Sequence, residues 1–592
     1  MQPPTPALDA MTTTAGFLLV LSLVIPVAGV LLAFIAGDRY VRLVACAIIP
    51  FGLAIAVAIL VVLPQSKGPI VYLVGAWPPP LGITLRADGL SAVMLAVTAV
   101  VICTVAIFAA TDFSPAAIET RAPFAFWILL LAIWGALNTI FLGGDLFTLY
   151  VALELLTFAA VPLVSLEGQA ETLQAALRYL LFALLGSVLY LLGTALLYGR
   201  YGTLDIVLLS HRIGGEPAVV VAAALMTTGL LAKTALFPLH LWLPPAHAGA
   251  PAAASAILSG LVVKGSFFII VRLWFNVMPG LPGFAATQLL AALGAAAIVF
   301  GSVIALRQER LKLLIAYSTL AQIGYLFLMF PLALGASGQL ESGGALAGGL
   351  LQAVSHATAK AAMFMSAGSI YARLGQDRIM ALGGVGRVLP ISVLAFALSG
   401  LALMGLPPGG AYLAKEILLK AAAEKEQWWW AVVLQAGGIF TGAYVVLVLA
   451  HALAPANASI TPDRAAPRIQ ELAALALALC SLLLGLVPWE AYLSIPPGVA
   501  SDKLAPGALS KALLLILGGA VVAILLGRWE WPPGRLSRWK AVMMVVGPVR
   551  RAGLALSAIV EGCDNLLRQW PTACISLLTL AALFGASMLL SF

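Results

Sequence analysis

The sequence predicts an all-α polytopic membrane protein, and three observations carry that prediction. Hydrophobic residues make up 62% of the 592-residue chain and charged residues only 9%, with a mean hydropathy of +1.06. A soluble domain of this length could not hide so much apolar surface, whereas a lipid-facing one need not. Apolar stretches of about 18 residues or more recur from residue 15 to the end, each able to cross a ~30 Å hydrocarbon core. Finally, two of these stretches are interrupted by prolines beside a lysine, a pattern of ion pathways rather than of inert spans.

Taken in order, spans are predicted over 15–36, 42–64, 89–111, 122–142, 146–165, 173–198, 218–243, 252–274, 285–306, 311–333, 346–372, 389–421, 428–453, 469–488, 511–528 and 571–591, about 16 in all. The opening "MQPPTPALDAMTTTAG" lacks the positive region of a signal peptide, so 15–36 reads as the first span and not as a cleaved leader. Within the N-terminal group, residues 1–111, the stretch 66–88 is too broken to cross and reads as a small external hairpin or loop. Residues 469–528 form a C-terminal group of helices, and 571–592 carry the final one. Between them, 529–570 mixes arginines, tryptophans and apolar positions. That mixture fits one or two amphipathic helices on the cytoplasmic face, and equally a basic linker that retains the last helix on its side.

The net charge of +8 is spread over short loops, which is an orientation signal and not a nucleic-acid footprint. With the N-terminus outside, roughly 19 Lys and Arg fall in cytoplasmic loops and roughly 8 in external ones, as the positive-inside rule demands. Both termini are then extracytoplasmic, in a chain of the cell's inner (plasma) membrane. Cys46, Cys103, Cys480, Cys563 and Cys574 are scattered, with no Cys/His cluster and no nucleotide-binding motif nearby. No metal or cofactor is expected, and no redox chemistry of the chain's own.

A charge at mid-bilayer costs about 2.5–3.5 kcal/mol even on lenient scales, so each one needs a reason. Glu154, Lys233 and Lys264 lie near the centres of three predicted spans. His356 and Lys360 are four apart and share a helical face; Lys415 lies just beyond a proline pair. At 1.5 Å per residue most of these fall within roughly 5 Å of one plane. Taken singly each has a structural reading: a Glu154–Lys233 ion pair, a packed His356, and His240 and His247 as caps of broken helix ends. Glu416 points about 100° away from Lys415 and reads as facing a loop or a neighbouring partner, and Arg272 as a surface or end-of-helix charge. Together, six ionisable groups at a common depth read as a polar track.

The prolines sharpen that reading. In "LLAKTALFPLHLWLPPAHAGAP", residues 230–251, Pro238 removes a donor and interrupts the helix around Lys233. The carbonyls freed near 234–237 must be buried in protein or meet water. Pro407 and Pro408, followed by Gly409 and Gly410, act likewise in the span of Lys415.

Those stretches, with "ERLKLLIAYSTLAQIGYLFL", "SHATAKAAMFMSAGSI" and "GLALMGLPPGGAYLAKEILL", resemble the antiporter-like proton-translocating subunits. These occur in respiratory complex I, in Mrp cation/proton antiporters and in membrane-bound hydrogenase relatives. The similarity runs in order from about residue 70 to about 455. It implies two inverted five-helix repeats, 122–274 and 285–453, each with one broken helix. It also implies that Glu154 is paired with Lys233, that Lys264 is the next relay lysine, that His356 and Lys360 are the central pair, and that Lys415 is the terminal lysine. The tail beyond 455 is reminiscent of the lateral helix of the largest such subunits, though much shorter.

The expected activity is proton translocation along this relay, with His240 and His247 as auxiliaries, at most as the ion-translocating subunit of an NADH:quinone oxidoreductase-like complex. Partners are then other integral membrane subunits within the lipid bilayer, with a soluble redox arm in one setting. Three alternatives stay open: exchange of Na⁺ or K⁺ for H⁺ in an Mrp-type assembly, coupling of ion flux to inorganic-carbon uptake, and a non-transporting scaffold.

Overall fold

A computed structural model describes residues 12–113, 121–455, 467–495, 508–526 and 540–590. The chain starts with α1 (Phe17–Ala36) and α2 (Val41–Val62). An antiparallel hairpin follows, β1 (Ile70–Leu73) paired with β2 (Thr84–Ala87), inside the stretch read as too broken to span. Next come α3 (Gly89–Asp112), α4 (Ala122–Leu142), α5 (Leu146–Val164) and α6 (Ala170–Tyr201).

The seventh crossing is split, as Pro238 requires. Helix α7 (Pro217–Thr234) stops four residues before that proline, with Ala235 in the left-handed conformation as its cap. The crossing resumes as α8 (Leu243–Gly249), whose first turn holds Pro244 and Pro245. Proline fits there because the first turn needs no intrahelical donor. The crossing therefore extends to about residue 249 rather than ending at 243. Helices α9 (Ala252–Val277), α10 (Phe284–Arg307), α11 (Leu311–Phe327) and α12 (Gly343–Leu374) continue the bundle. A second split crossing follows: α13 (Pro390–Met404) ends on a left-handed Gly405, and α14 (Gly410–Glu424) begins after the Pro-Pro-Gly run. Then come α15 (Trp428–Ala452), α16 (Arg468–Leu483) and α17 (Ala508–Leu526). The chain ends with α18 (Lys540–Leu567) and α19 (Trp570–Leu589). Of the segment read as amphipathic, residues 529–539 lie outside the described residues.

Among the described residues thirteen helices are long and apolar enough to cross a membrane. The other predicted spans are α12, the split pair α13 and α14, and α17. Helix α12 has ample length but carries Gln352, Ser355, His356, Thr358 and Lys360, all buried. It packs against α3, α9, α11, α13, α14 and α16, so protein surrounds it and it needs no apolar coat. The exposed leucines and phenylalanines belong instead mainly to α1, α2, α5 and α6 and to the C-terminal helices α16–α19.

The crossings α4–α9 and α10–α15 follow one plan: three helices, a split fourth and a fifth. Five crossings is an odd number, so the second set begins on the opposite face and is inverted relative to the first. At the hairpin face, Gly144 at the start of α5 donates its N–H to the Thr84 carbonyl. Helix α18 lies at the other face, packed on α10 and α17 and followed by α19, which docks against α7.

Helix α7 is seated by a close backbone approach to α6. A methyl group added at Gly186 would lie 2.6 Å from the Gly229 carbonyl oxygen, and one at Gly229 2.2 Å from that of Gly186. Small residues are what permit such contact between membrane helices. Replacing Gly186 with Val should force the pair apart and cost about 1–3 kcal/mol, read as a lower melting temperature of the purified protein in detergent.

Candidate functional site

The first group of charges gathers where α7 breaks. Lys233, one residue before the end of α7, donates from Nζ to Glu154 Oε1 at 2.9 Å and to Thr157 Oγ1 at 2.9 Å. Both partners lie on α5, one turn apart. Ser187 of α6 donates its hydroxyl to the same Glu154 oxygen. The lysine side chain is 4% exposed and the glutamate 14%, so each charge is compensated out of water. Carbonyls at the break find other donors: the Leu231 oxygen accepts from the Leu236 N–H at 3.2 Å, and the Ala232 oxygen from the Ala235 N–H at 3.2 Å and the Trp242 indole at 3.0 Å. That leaves the ammonium for the carboxylate.

Lys264 is completely buried on α9, just after a π-helical turn at Leu258–Val262. Its ammonium donates to the Ser259 carbonyl, five residues back along its own helix. The Ser259 hydroxyl meets Thr319 Oγ1 of α11 at 2.9 Å, and the adjacent Ser318 accepts from Lys360 Nζ of α12 at 2.5 Å. One turn of α11 therefore joins the surroundings of two buried lysines. His356, one turn before Lys360, is fully buried with no hydrogen-bond partner for either ring nitrogen among the described residues. His247 of α8 is in the same state, stacked 4.7 Å from the Phe364 ring. Buried polar atoms left open in this way are the usual seats of internal water.

From Lys360 the polar groups continue into the second split crossing. Its ammonium lies 5.7 Å from the Tyr444 ring centre, and the Tyr444 hydroxyl accepts from Gln322 Nε2 at 3.2 Å. Gln322 also bonds Thr441, and Gln352 donates to its carbonyl oxygen at 3.1 Å. Tyr325, three residues on from Gln322, places its ring 4.9 Å from the Lys415 ammonium. Lys415 Nζ then donates to the Met404 carbonyl at 2.9 Å, the last carbonyl of α13 before the break.

The remaining expectations sort differently. His240, in the broken segment, is not a helix cap: its Nε2 meets Asp564 Oδ1 of α18 at 2.9 Å. Asp564 also accepts from the Tyr317 hydroxyl at 2.5 Å. Glu416 has its own neighbour, Lys511, at 3.3 Å. Arg272 is an end-of-helix charge, clamped by Asp88 at 2.6 and 2.7 Å and by Ser91 at 2.8 Å.

The hydroxyls and amides are not among the site residues expected from sequence. A signal for some of them exists, since Ser318, Gln322 and Tyr325 recur at helical spacing on α11, and Gln352, His356 and Lys360 recur every fourth position on α12. For Asp564 there is none; it is 324 residues from its histidine on a segment read only as interfacial.

Against known families, residues 143–441 match the model described as NADH:quinone oxidoreductase/Mrp antiporter, TM. The chain is 33% identical over 392 residues to an NADH-quinone oxidoreductase subunit of Desulforudis audaxviator, covering 64% of this chain and 75% of that one. It is 30% identical over 428 residues to an Na(+)/H(+) antiporter subunit of Alkalihalophilus pseudofirmus, covering 72% and 84%. Among solved structures it resembles a chain of the Mrp complex from Dietzia (TM-score 0.73, 25% identity, covering 85% of this chain and all of that one). It also resembles a chain of respiratory complex I from Thermus thermophilus (TM-score 0.63, 25% identity, covering 80% and 98%).

The Glu154–Lys233 geometry has a measurable consequence. Glu154→Gln strands a buried ammonium and should cost about 3–5 kcal/mol, while adding Lys233→Met should restore about half of it. Melting temperatures of the wild type, both single variants and the double variant in detergent give the sign of that coupling.

Proposed function

The chain belongs to the NADH:quinone oxidoreductase/Mrp antiporter family, and from that premise we propose that it moves protons through the membrane along its buried ionisable groups. Glu154 and Lys233 form the first station, Lys264 the second, His356 with Lys360 the third, and Lys415 the last. His240 and His247 serve as auxiliaries. The observation that supports this reading best is the run of polar side chains from Ser259 through Ser318, Thr319, Gln322 and Tyr444 toward Tyr325, which spans the interval between Lys264 and Lys415.

The chemistry rests on the cost of an unpaired buried charge. While Glu154 is ionised and in contact, the proton stays on Lys233. When the pair opens, the stranded ammonium gives its proton to water and the charge moves on to Lys264. A proton arriving at Lys360 raises the cost of one on Lys264, so the lysines respond as a coupled set. His356 and His247, with open ring nitrogens, can each take a proton on one side and release one on the other. At Lys415 the ammonium rests on a helix-end carbonyl and a ring face, neither of which is an anion, and release there leaves no carboxylate behind.

The family's solved structures are parts of multisubunit membrane complexes, and this chain, a multi-pass membrane protein, takes its place beside other integral membrane subunits. Arg39, Arg42, Arg121, Arg307, Arg310, Arg373, Arg378 and Arg387 all lie at or near the helix ends away from the hairpin. By the positive-inside rule we take that face as cytoplasmic and the membrane as the plasma membrane. Exchange of Na⁺ or K⁺ for H⁺ is a second reading, favoured by the likeness over most of an Na(+)/H(+) antiporter subunit.

The test is co-expression of the chain with the products of its neighbouring genes, preparation of everted vesicles, and dye recording of the pH gradient with and without added Na⁺ or K⁺. Lys233→Ala should reduce proton movement at least about tenfold while the assembled complex is recovered in normal amount. Unchanged movement in that variant overturns the relay. Strict dependence on an added cation selects the exchange reading.

A further inference from the structure

Away from the hairpin face the bundle contains a cavity of 540 Å³, lined among others by Glu171, Arg310, Tyr317, Asp564, Asn565 and Arg568. Two of these six, Asp564 and Asn565, belong to α18 and Arg568 directly follows it, outside both five-crossing sets. The cavity reaches the foot of α8 through Pro245, Ala248 and Gly249. At its inner wall Asp564, only 4% exposed, bridges Tyr317 and His240. His240 is completely buried in the broken segment, seven residues beyond Lys233, and its Nδ1 has no partner among the described residues. A carboxylate at the end of a polar cavity, bonded to an imidazole whose far nitrogen is open, is a two-sided proton contact.

We propose that this cavity is the aqueous mouth of the pathway and that Asp564 is a pathway residue supplied by the C-terminal amphipathic helix. The inference rests on the proton-translocation reading and deepens it by naming the way in. Asp564 takes a proton from cavity water and gives it to Nε2 of His240 when that nitrogen carries none. The ring releases the proton on Nδ1 inward, toward the break beside Lys233, and is reset when water carries the remaining proton from Nε2 to Nδ1. Tyr317 and Arg568 hold the carboxylate in line; Arg568 lies 3.5 Å from it and 3.2 Å from the Tyr317 hydroxyl. Burial disfavours the charged form of Asp564, but His240, Tyr317 and Arg568 outweigh it and hold the carboxyl below its usual range. The titratable and charged groups facing this site are His240, Tyr317, Arg568, Arg310, Glu171 and Glu561.

A purely mechanical role for Asp564, clipping α18 to the bundle, makes a different prediction. Arg307 pairs with Glu561 at 3.0 Å and clips the same helix without touching His240. In the vesicle assay Asp564→Asn should slow proton movement about tenfold or more and alter its pH profile, whereas Arg307→Gln should change it less than about twofold. His240→Asn should slow it to the same degree, with no further loss in the double variant. Access is tested separately: Asn565→Cys, placed in a background with Cys563→Ser, should react with a membrane-impermeant thiol reagent added on the α18 side and slow transport on reaction. Equal losses in the Asp564 and Arg307 variants, or a wild-type rate and profile in Asp564→Asn, overturn the proposal. So does an introduced thiol that the reagent labels without any effect on rate, or does not label at all. If Lys233→Ala still abolishes transport in those cases, the relay stands and only this mouth is wrong; if neither variant alters transport, the relay itself fails.

Discussion

Everything in this fold answers to one constraint: a backbone that breaks inside a hydrocarbon slab must have its polar groups satisfied by protein or trapped water. Each split crossing frees carbonyls inside the bundle, and the chain solves the problem twice in different ways. At the first break an indole joins the backbone donors, Trp242 and the Ala235 N–H both donating to Ala232. At the second an ammonium does so, Lys415 donating to Met404. The choice sets what each lysine is free to do. Lys233, spared the carbonyls of its own break, engages a carboxylate from another helix. Lys415 is bound to the helix end and has a ring face where the first lysine has an anion.

The same constraint explains the distribution of lipid contact. Both split crossings and the polar helix α12 sit largely inside the bundle, while α1, α2, α5, α6 and the C-terminal helices α16–α19 carry most of the exposed leucines, valines and phenylalanines. Glu154 stands at the margin between the two regimes. Its own helix turns Val151, Leu155 and Phe158 outward, so its carboxylate is held at the edge of the bundle by Lys233 and Ser187. A residue in that position is within reach of whatever packs against α5.

Much of this is legible in the sequence for a simple reason: in an apolar span each charge or proline stands out against its background. Pro238 and the 407–410 run mark both breaks to within a few residues, and Glu154, Lys233, Lys264, His356, Lys360 and Lys415 are visible as charges without lipid partners. The hydroxyls and amides that link them are less visible, because serine and threonine are common in membrane helices and cost little there. The inverted arrangement cannot be read from composition; it follows from resemblance and is accounted for by the odd number of crossings. Asp564 is hidden altogether, since pairing across 324 residues leaves no local periodicity. The exact start of α8 is also obscured, because Pro244 and Pro245 look like breakers yet suit a first turn.

The C-terminal helices have a mechanical consequence. Helix α18 is 28 residues long with Pro548 in its first half, about 42 Å of helix in all. One neighbour, α17, is packed on α15 of the second set, and its successor α19 is packed on α7 of the first. Swinging one set bodily against the other would have to shear both attachments at once. A bodily displacement of one set is thereby opposed at two places, and rearrangements local to the two breaks disturb neither.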